Sequence, residues 1–349
     1  MRLPNLNMTF TAKRRLQRGL MIAAIVVMVL ILAGFCWVIW LERYVVYSRE
    51  GATINLDLPE RMAGGQVAAP PALDETIPIY INEGSDAINT NAELTQISGY
   101  YVDQDLLIED IQGVKNTVVT LPAETAVMLE LKNIYGRFNY TSGLTDAVLA
   151  SNVDTAAVDN LITEINSRNL YAIAMVPAFR ERSYVLKRNA YFLKDKNGYG
   201  WEDEQNCYWL NPSDSGTLNW LIQITEELRT LGFDEVVFTE FRLPSSDRIV
   251  YKDDPAAALQ AAANKLVETC ASSNFTVSFA TNDTAFKLPE GGHSRLYLEN
   301  VGAKDVDAAA AKVTVPDPAA HLVFLATTTD TRYSKYSALR PIITAGNSN

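Results

Sequence analysis

Short apolar runs and amphipathic segments alternate between residues 97 and 327. The apolar runs predict seven strands, at Ile97–Val102, Ala126–Leu131, Tyr171–Pro177, Glu235–Glu240, Phe275–Thr281, Arg295–Val301 and Leu322–Thr327. Three segments between them have the apolar spacing of helices, at Thr155–Arg168, Ser215–Leu231 and Pro255–Ser272. Continuous apolar strands suit a parallel sheet covered on both faces. The pattern therefore predicts an α/β fold, a (β/α) TIM-type barrel that is incomplete or irregular at its last unit.

A run of 21 residues without a charge, Leu20–Trp40, lies near the N-terminus. A helix of this length, at about 1.5 Å per residue, spans the roughly 30 Å hydrocarbon core of a bilayer. Five basic residues and no acidic residue precede the run. The positive-inside tendency then predicts a cytoplasmic N-terminus and an extracytoplasmic C-terminal domain at the cell membrane. A cleaved signal peptide is the alternative, but the long run and the Leu41-Glu42-Arg43-Tyr44 sequence behind it favour an uncleaved single-pass anchor.

Four segments are expected on this basis: a basic cytoplasmic tail at 1–19, a transmembrane helix at 20–40, a stalk and linker at 41–75, and a barrel domain at 76–349. Residues 58–75 are rich in Pro, Gly and Ala, which is typical of a linker. The remaining length fits one α/β barrel, which typically has about 250 residues.

The charge balance narrows the class of ligand. The chain has 30 basic and 41 acidic residues. Without the five basic residues before the charge-free run, 25 basic residues face 41 acidic ones, a net charge of −16. Such a charge disfavours binding to nucleic acid or to anionic polymers and lipids, because like charges repel. It is compatible with a neutral ligand.

Cysteine and histidine offer little chemistry. Cys36 lies in the predicted span, and Cys207 and Cys270 either pair in an oxidising compartment or stay unpaired. The two histidines, His293 and His321, are far apart in sequence, so a zinc site or a Ser-His-Asp triad is poorly supported. The sequence has no phosphate-binding loop, dinucleotide motif or EF-hand signature. No cofactor or metal is predicted.

Residues 231–244 are the most informative segment for function. An apolar strand there, with Val236 to Phe238 at its centre, runs directly into Thr239, Glu240 and Arg242, and Pro244 ends it. In parallel α/β proteins, ligands and catalytic groups lie at the C-terminal ends of the strands. A carboxylate and a guanidinium delivered there are candidates for catalysis.

Four segments resemble a family of uncharacterised TIM-barrel proteins classed as glycoside hydrolases. Residues 127–136 resemble a strand followed by D-x-K-D-D-x-G, and 171–179 resemble the next strand. Residues 193–212 resemble its long loop, and 231–244 resemble L-G-F-D-E-I-Q-F-D-Y-V-R-F-P. Over about Ile97 to Arg332, the resemblance implies a glycosidase-like barrel with a sugar-binding cleft. Hydrolysis is implied less directly, because the sequence diverges from the family pattern at several acidic positions.

The departures fall on candidate catalytic positions. Thr239 occupies the place of the family's Asp in F-D-Y-V-R-F-P, and Glu240 follows one position later. Successive strand residues face opposite sides of a sheet, so this displacement is not conservative. Asn133 and Ile134 replace two acidic positions, whereas Glu130 and Lys132 are retained.

Glycoside hydrolysis usually needs two carboxylates that flank the bond to be broken. Glu240 is the first candidate, with Arg242 beside it, and Glu299 or Glu130 at another strand end is the candidate partner. Asp283 is a further candidate. The alternative is that Glu240 and Arg242 form a structural ion pair that closes the barrel.

The predicted sugar-binding residues are Lys132, Tyr135, Trp201, Trp209, Arg242 and Asp283. Trp201 lies between Gly200 and Glu202 in an aromatic loop and is the preferred stacking residue, whereas Trp209 is expected to pack the loop onto the barrel. Lys132 either donates to a sugar hydroxyl or forms a buried pair with Glu130.

Two functions remain open at this point. One is a membrane-anchored glycoside hydrolase acting on an envelope or extracellular polysaccharide. The other is a barrel that has lost catalysis and serves as a glycan-binding or envelope-scaffolding protein. The retained charged residues at Glu130, Lys132, Glu240 and Arg242 favour the first, and Thr239 favours the second.

Overall fold

A computed structural model describes residues 27–28, 45–48, 51–54, 94–290 and 293–344. The chain divides into two compact units, at 1–76 and 77–349. In the first unit, Val45–Ser48 pairs antiparallel with Gly51–Ile54. No helix within the described residues is long and apolar enough to cross a membrane. Apart from residues 27 and 28, the expected span Leu20–Trp40 lies outside the described residues, as does most of the expected stalk and linker.

The second unit contains a closed barrel of eight parallel strands. In chain order these are β1 (Ser98–Val102), β2 (Ala126–Glu130), β3 (Tyr171–Pro177), β4 (Glu235–Thr239), β5 (Thr276–Ala280), β6 (Leu296–Glu299), β7 (Leu322–Leu325) and β8 (Ser337–Pro341). Each strand pairs with its neighbours in sequence, and β8 pairs with β1 to close the ring. The TIM-type architecture predicted from the sequence is confirmed.

The expectation of an incomplete barrel is wrong. Strand β8, with the sequence SALRP, pairs in parallel with both β7 and β1. Strand β8 is difficult to recognise in the sequence because it begins with a buried serine, Ser337, and carries the exposed Arg340 before a proline. Four of its five residues are neither β-branched nor large and apolar, so the segment lacks the apolar run that predicted the other strands.

Eight α-helices surround the barrel or lie in its loops within the described residues. They are α1 (Gln104–Glu109), α2 (Ile111–Val118), α3 (Thr155–Ser167), α4 (Ser183–Arg188), α5 (Ser215–Thr230), α6 (Pro255–Cys270), α7 (Val306–Ala310) and α8 (Pro318–His321). A 3₁₀ helix at Thr331–Lys335 precedes β8. The three predicted helices, α3, α5 and α6, each begin after an aspartate whose side chain accepts a backbone N–H of the first turn.

Alternation along the strands separates two packed layers. Inward residues such as Met128, Val237 and Tyr297 fill the barrel, while the residues between them pack against the helices. Because side chains on a strand repeat every two residues, Glu130, Thr239 and Glu299 fall in the inward register at the C-terminal ends of β2, β4 and β6. The sequence thus places two carboxyl groups and one hydroxyl at the mouth of the barrel.

The opposite end of the barrel is closed by a buried polar network. Glu235, the first residue of β4, accepts hydrogen bonds from Tyr171 Oη (3.0 Å) and Tyr297 Oη (3.0 Å). Its Oε2 also pairs with Arg295 Nη1 at 2.5 Å. Arg295 donates further to the carbonyl oxygens of Ala320 and Thr95. Since every one of these polar groups has a partner, the network seals the N-terminal end and leaves the C-terminal end for a ligand.

Candidate functional site

Glu240 directly follows the last residue of β4 and has an unusual backbone. Its φ of 48° lies in the left-handed region, which costs a non-glycine residue roughly 1 kcal/mol or more. Its carboxylate pairs with Arg180 Nη1 at 3.2 Å and with Arg242 Nη2 at 2.8 Å. One-fifth of the side chain remains exposed. The chain therefore holds a carboxylate at the barrel rim between two guanidinium groups.

Arg180 is itself fixed by Asp203. Its Nε donates to Asp203 Oδ2 at 2.7 Å, and its Nη2 forms an ion pair with the same oxygen at 2.6 Å. Nη2 also donates to Gln205 Oε1 at 2.6 Å. Burial acts to raise the pKa of Asp203, but hydrogen bonds from the Cys207 N–H and the Trp209 indole, together with the Arg180 charge, hold it below its usual range. Asp203 therefore fixes the guanidinium that contacts Glu240.

Trp209 supports the two arginines that hold Glu240. Its side chain is buried, and its indole Nε1 donates to Asp203 Oδ2 at 3.0 Å. The guanidinium carbons of Arg180 and Arg242 lie 5.7 and 4.8 Å from the ring centre, the range of cation–π contacts. A buried ring with these partners packs the loop onto the barrel. This agrees with the expectation that Trp209 packs the loop rather than stacking on a sugar.

Glu299, the last residue of β6, faces the barrel interior from the next-but-one strand. Burial raises the pKa of its carboxyl, the charge of Glu240 raises it further, and the charge of Arg242 lowers it. Asn282 fixes its backbone, because the Asn282 side chain accepts the Glu299 N–H and donates to its carbonyl oxygen, both at 3.2 Å. The structure therefore brings the two leading candidates, Glu240 and Glu299, into one electrostatic neighbourhood.

Glu130 occupies a separate part of the mouth, on the strand opposite β6 in the ring. Its Oε2 accepts the backbone N–H of Gln104 at 2.9 Å, at the start of α1. Burial raises the pKa of Glu130 to about 7; the Gln104 hydrogen bond lowers it, and the charges of Asp103 and Asp105 raise it. A carboxyl group that titrates near neutrality can donate or accept a proton.

Lys132 does not belong to the exposed site. Its side chain is fully buried and forms an ion pair with the equally buried Glu181. The prediction that Lys132 donates to a sugar hydroxyl is therefore wrong, because its ammonium is buried away from any ligand. The alternative pairing with Glu130 is also wrong, since Glu181 takes that place. A buried charge without its partner would be costly, so this pair is structural.

The remaining predicted binding residues differ in exposure. Tyr135 is exposed at the rim, and its backbone carbonyl oxygen accepts a hydrogen bond of 2.8 Å from the hydroxyl of Ser183. Trp201 is partly buried against the core. Asp283 is exposed, and its Oδ1 accepts the N–H of Ala285 at 2.9 Å. Tyr135 and Asp283 therefore present side chains to solvent, and Trp201 presents part of its ring.

The two cysteines of the barrel domain are both buried. Cys207 and Cys270 are both buried and unpaired, so the predicted option of a disulfide is wrong. Burial raises the pKa of each thiol to about 11, which leaves both unreactive near neutrality. Within the described part of the chain, no group of three His, Cys, Asp or Glu side chains could hold a metal ion.

Sequence reasoning missed Arg180, Asp203 and Glu181. Arg180 and Glu181 follow β3 by three and four residues, and Asp203 lies in the loop after them. The available signal was the position of Arg180 and Glu181 just beyond a strand end, where functional residues collect. The pairing of Arg180 with Glu240 could not be predicted from the sequence, because the two residues are 60 positions apart.

The family described as "Putative glycosyl hydrolase domain" matches residues 102–275 of this chain. The match confirms the resemblance found in the sequence. It extends from the end of β1 to the end of the loop after α6, and so includes Glu130 and Glu240 but not Glu299. A comparison with curated proteins gives no match.

Several solved structures are similar to this chain. A hypothetical protein from Ruminiclostridium thermocellum ATCC 27405 is 19% identical, with a TM-score of 0.45 over 52% of this chain and 96% of its own. An exo β-N-acetylglucosaminidase from Vibrio harveyi, an inactive mutant, is 11% identical, with a TM-score of 0.45 over 73% and 51%. A cycloalternan-degrading enzyme from Trueperella pyogenes is 9% identical, with a TM-score of 0.46 over 73% and 44%. This chain spans about half the length of these two enzymes.

Proposed function

We propose that this chain, whose residues 102–275 belong to the glycosyl hydrolase family matched above, hydrolyses a neutral polysaccharide with Glu240 and Glu299 as paired carboxyl groups. The observation that carries the proposal is the placement of these two groups at the C-terminal mouth of a closed barrel, close enough for the charge of Glu240 to raise the pKa of Glu299. Pairs of carboxyl groups in different environments are the arrangement that acid and base roles require.

Glu299 is the proposed general acid. Burial keeps a carboxyl group protonated to higher pH, so Glu299 can donate its proton to the glycosidic oxygen as the bond to the anomeric carbon breaks. The leaving sugar then departs as an alcohol. Arg242 lies near both groups, as its charge opposes the shift on Glu299 while its guanidinium pairs with Glu240.

Glu240 is the proposed second carboxylate. It either attacks the anomeric carbon directly or accepts a proton from the water that attacks it, which are the retaining and inverting forms of the reaction. Arg180 and Arg242 fix its orientation through two ion pairs. A carboxylate held by rigid partners loses little freedom on reaching the reactive geometry, which favours the reaction.

The substrate and location are part of the same proposal. The acidic balance of the chain supports a neutral sugar polymer, because anionic polymers would be repelled. The charge-free run Leu20–Trp40 supports a single membrane anchor that places the barrel outside the cytoplasm. The polymer would then be an envelope or extracellular polysaccharide.

A second function is favoured by one specific observation. Thr239 takes the inward register at the end of β4, where the family pattern has an aspartate. If that position carries the family's chemistry, the barrel binds a glycan or acts as an envelope scaffold without cleaving it. The Glu240 cluster would then be a structural set of ion pairs at the rim.

One experiment separates the two functions. Purified full-length protein is incubated with neutral polysaccharides of different linkage, and both retention in affinity electrophoresis and release of new reducing ends are measured. Hydrolysis predicts new reducing ends from at least one polymer. Retention on a polymer without any release of reducing ends would support the binding protein. If the protein shows no retention and no release of reducing ends on any polymer, both functions are contradicted.

A further inference from the structure

A cleft of about 320 Å³ lies beside the end of β6, outside the proposed catalytic pair. It is bounded by the loop after β5 and by the segment from Asn300 to Val313, which includes α7. Its polar lining includes Asn282, Asn300, Asp305 and Lys312. Sites for small ligands begin at about 300 Å³, so the cleft is large enough for a small polar molecule.

Three of the polar side chains in the cleft have no partner among the described residues. Asn300, Asp305 and Lys312 make no side-chain hydrogen bond or ion pair there, and Asp305 precedes α7 without capping it. Elsewhere in the barrel domain the aspartates that precede α3, α5 and α6 do cap their helices. The polar groups around the cleft are therefore free to bind a ligand.

The mixture of groups fits a neutral polyhydroxyl compound. Lys312 is a donor only, Asp305 is an acceptor only when ionised, and the amide of Asn300 is both. Sugar hydroxyl groups donate and accept, so they can satisfy all three. Leu298, Val301 and Val313 give the cleft an apolar part that suits the C–H face of a sugar ring.

The cleft is linked to the proposed catalytic pair through Asn282. This residue lines the cleft and also holds the backbone of Glu299 through two hydrogen bonds of 3.2 Å. Leu298 and Asn300, the two neighbours of Glu299 in sequence, line the cleft as well. The side chain of Glu299 faces the barrel and its two neighbours line the cleft, so the end of β6 contributes to both places.

We propose that this cleft is a sugar subsite that holds one or two neutral rings of a polysaccharide beside Glu299. The identity of the ligand rests on the proposed function, whereas the existence of the cleft and its free polar groups does not. The cleft lies beyond the residues that match the family, in the C-terminal part of the barrel. It would therefore add a binding determinant of this chain itself.

Two variants remove the subsite by different means. Asn300 has a left-handed backbone with φ of 57°, so Asn300→Gly deletes the amide without introducing backbone strain. Ala308 is exposed and lines the cleft, so Ala308→Trp fills it. Ala311→Trp is the matched control, because Ala311 is exposed next to α7 and does not line the cleft.

Binding is measured by ligand-observed NMR on the full-length protein. The probes are glucose, galactose, N-acetylglucosamine, cellotetraose and maltotetraose, with L-alanine as a zwitterionic probe for the Asp305 and Lys312 pair. We expect at least one sugar to bind, with an affinity reduced about fivefold or more, roughly 1 kcal/mol, in Asn300→Gly and Ala308→Trp. The control Ala311→Trp should bind as the unaltered protein does.

Three outcomes would overturn the subsite: no sugar binds, both cleft variants bind normally, or L-alanine binds and the sugars do not. The result is independent of catalysis, because Glu299→Gln should retain the weak binding in the cleft. Loss of binding in the cleft variants together with an absence of hydrolysis in the unaltered protein would keep the subsite and reject the hydrolase.

Discussion

At the residue scale, the backbone of Glu240 explains how a chain with Thr239 in place of the family's aspartate still brings a carboxylate to the barrel mouth. Strand alternation gives the inward register to Thr239 and would send the following side chain outward. A left-handed residue breaks that alternation, and the φ of 48° at Glu240 does so. Arg180 and Arg242 then hold the carboxylate, which helps to offset the strain of the backbone.

The strand end could be recognised from sequence, but the direction of its side chains could not. The apolar run before Thr239 and the charged residues after it were sufficient to predict a functional rim. The carboxylate of Glu240 pairs with Arg180, which is 60 residues away in sequence, so no local pattern marks its direction. Glu299 was identifiable by the same rule, whereas its burial near Glu240 follows only from the closed ring.

The raised pKa of Glu130 predicts a pH-dependent stability. The folded protein holds this proton up to about pH 7, while the unfolded chain releases it near the usual value for glutamate. The contribution of Glu130 is therefore most favourable below about pH 4.5 and is lost as the pH rises through about 7. Glu130→Gln keeps an acceptor for the Gln104 N–H and removes this titration.

We expect the stability of Glu130→Gln relative to the unaltered protein to increase between about pH 5 and pH 8, by on the order of 2 kcal/mol. Urea denaturation at the two pH values measures the difference, and Glu204→Gln, at an exposed position, is the control. An equal change in both variants with pH would show that Glu130 does not titrate in this range.

At the element scale, the long excursion between β3 and α5 supplies the support for Glu240. It contains α4 and the short antiparallel pairing of Arg180–Glu181 with Tyr208–Trp209. Its segment Lys194–Asp195 also pairs antiparallel with Ile249–Val250, from the loop after β4. The sequence predicted a long aromatic loop, and the structure shows that these strand pairs organise it. The short pairs were not predictable, because two-residue strands leave no periodic pattern.

Two tryptophans in this excursion should respond differently to truncation. Trp209 is buried between two guanidinium groups, so Trp209→Ala should lower the free energy of unfolding by about 3–5 kcal/mol. Trp201 is partly exposed, so Trp201→Ala should instead weaken glycan binding by on the order of 1 kcal/mol. Denaturation and affinity electrophoresis measure the two effects. Glycan binding unchanged in Trp201→Ala would remove this residue from the site.

At the scale of the whole molecule, the barrel has one sealed end and one functional end. The network around Glu235 and Arg295 closes the N-terminal end, and the candidate carboxyl groups lie at the other. Seven strands were predictable because they are apolar runs. The eighth strand, β8, was not predictable, since the closure of the ring rather than its own composition selects it. Alternating strands and helices were enough to predict the fold class.

The predicted anchor can be tested in intact cells. The charge-free run at 20–40 with basic residues before it predicts that everything after Trp40 is extracytoplasmic. An external protease should therefore degrade the barrel of an epitope-tagged chain in intact cells. A barrel fully protected in intact cells but degraded after lysis would show that the predicted orientation is wrong.

The rate of glycosidic bond cleavage by carboxyl variants tests the central claim most directly. On a polymer that the unaltered protein cleaves, Glu240→Gln and Glu299→Gln should each lower the release of reducing ends at least 100-fold, since each loses an acid, base or nucleophile. Both should keep the fold, as judged by denaturation, and Glu204→Gln should cleave normally. Cleavage that persists at the unaltered rate in either folded variant would contradict the assignment of Glu240 and Glu299 as the catalytic pair.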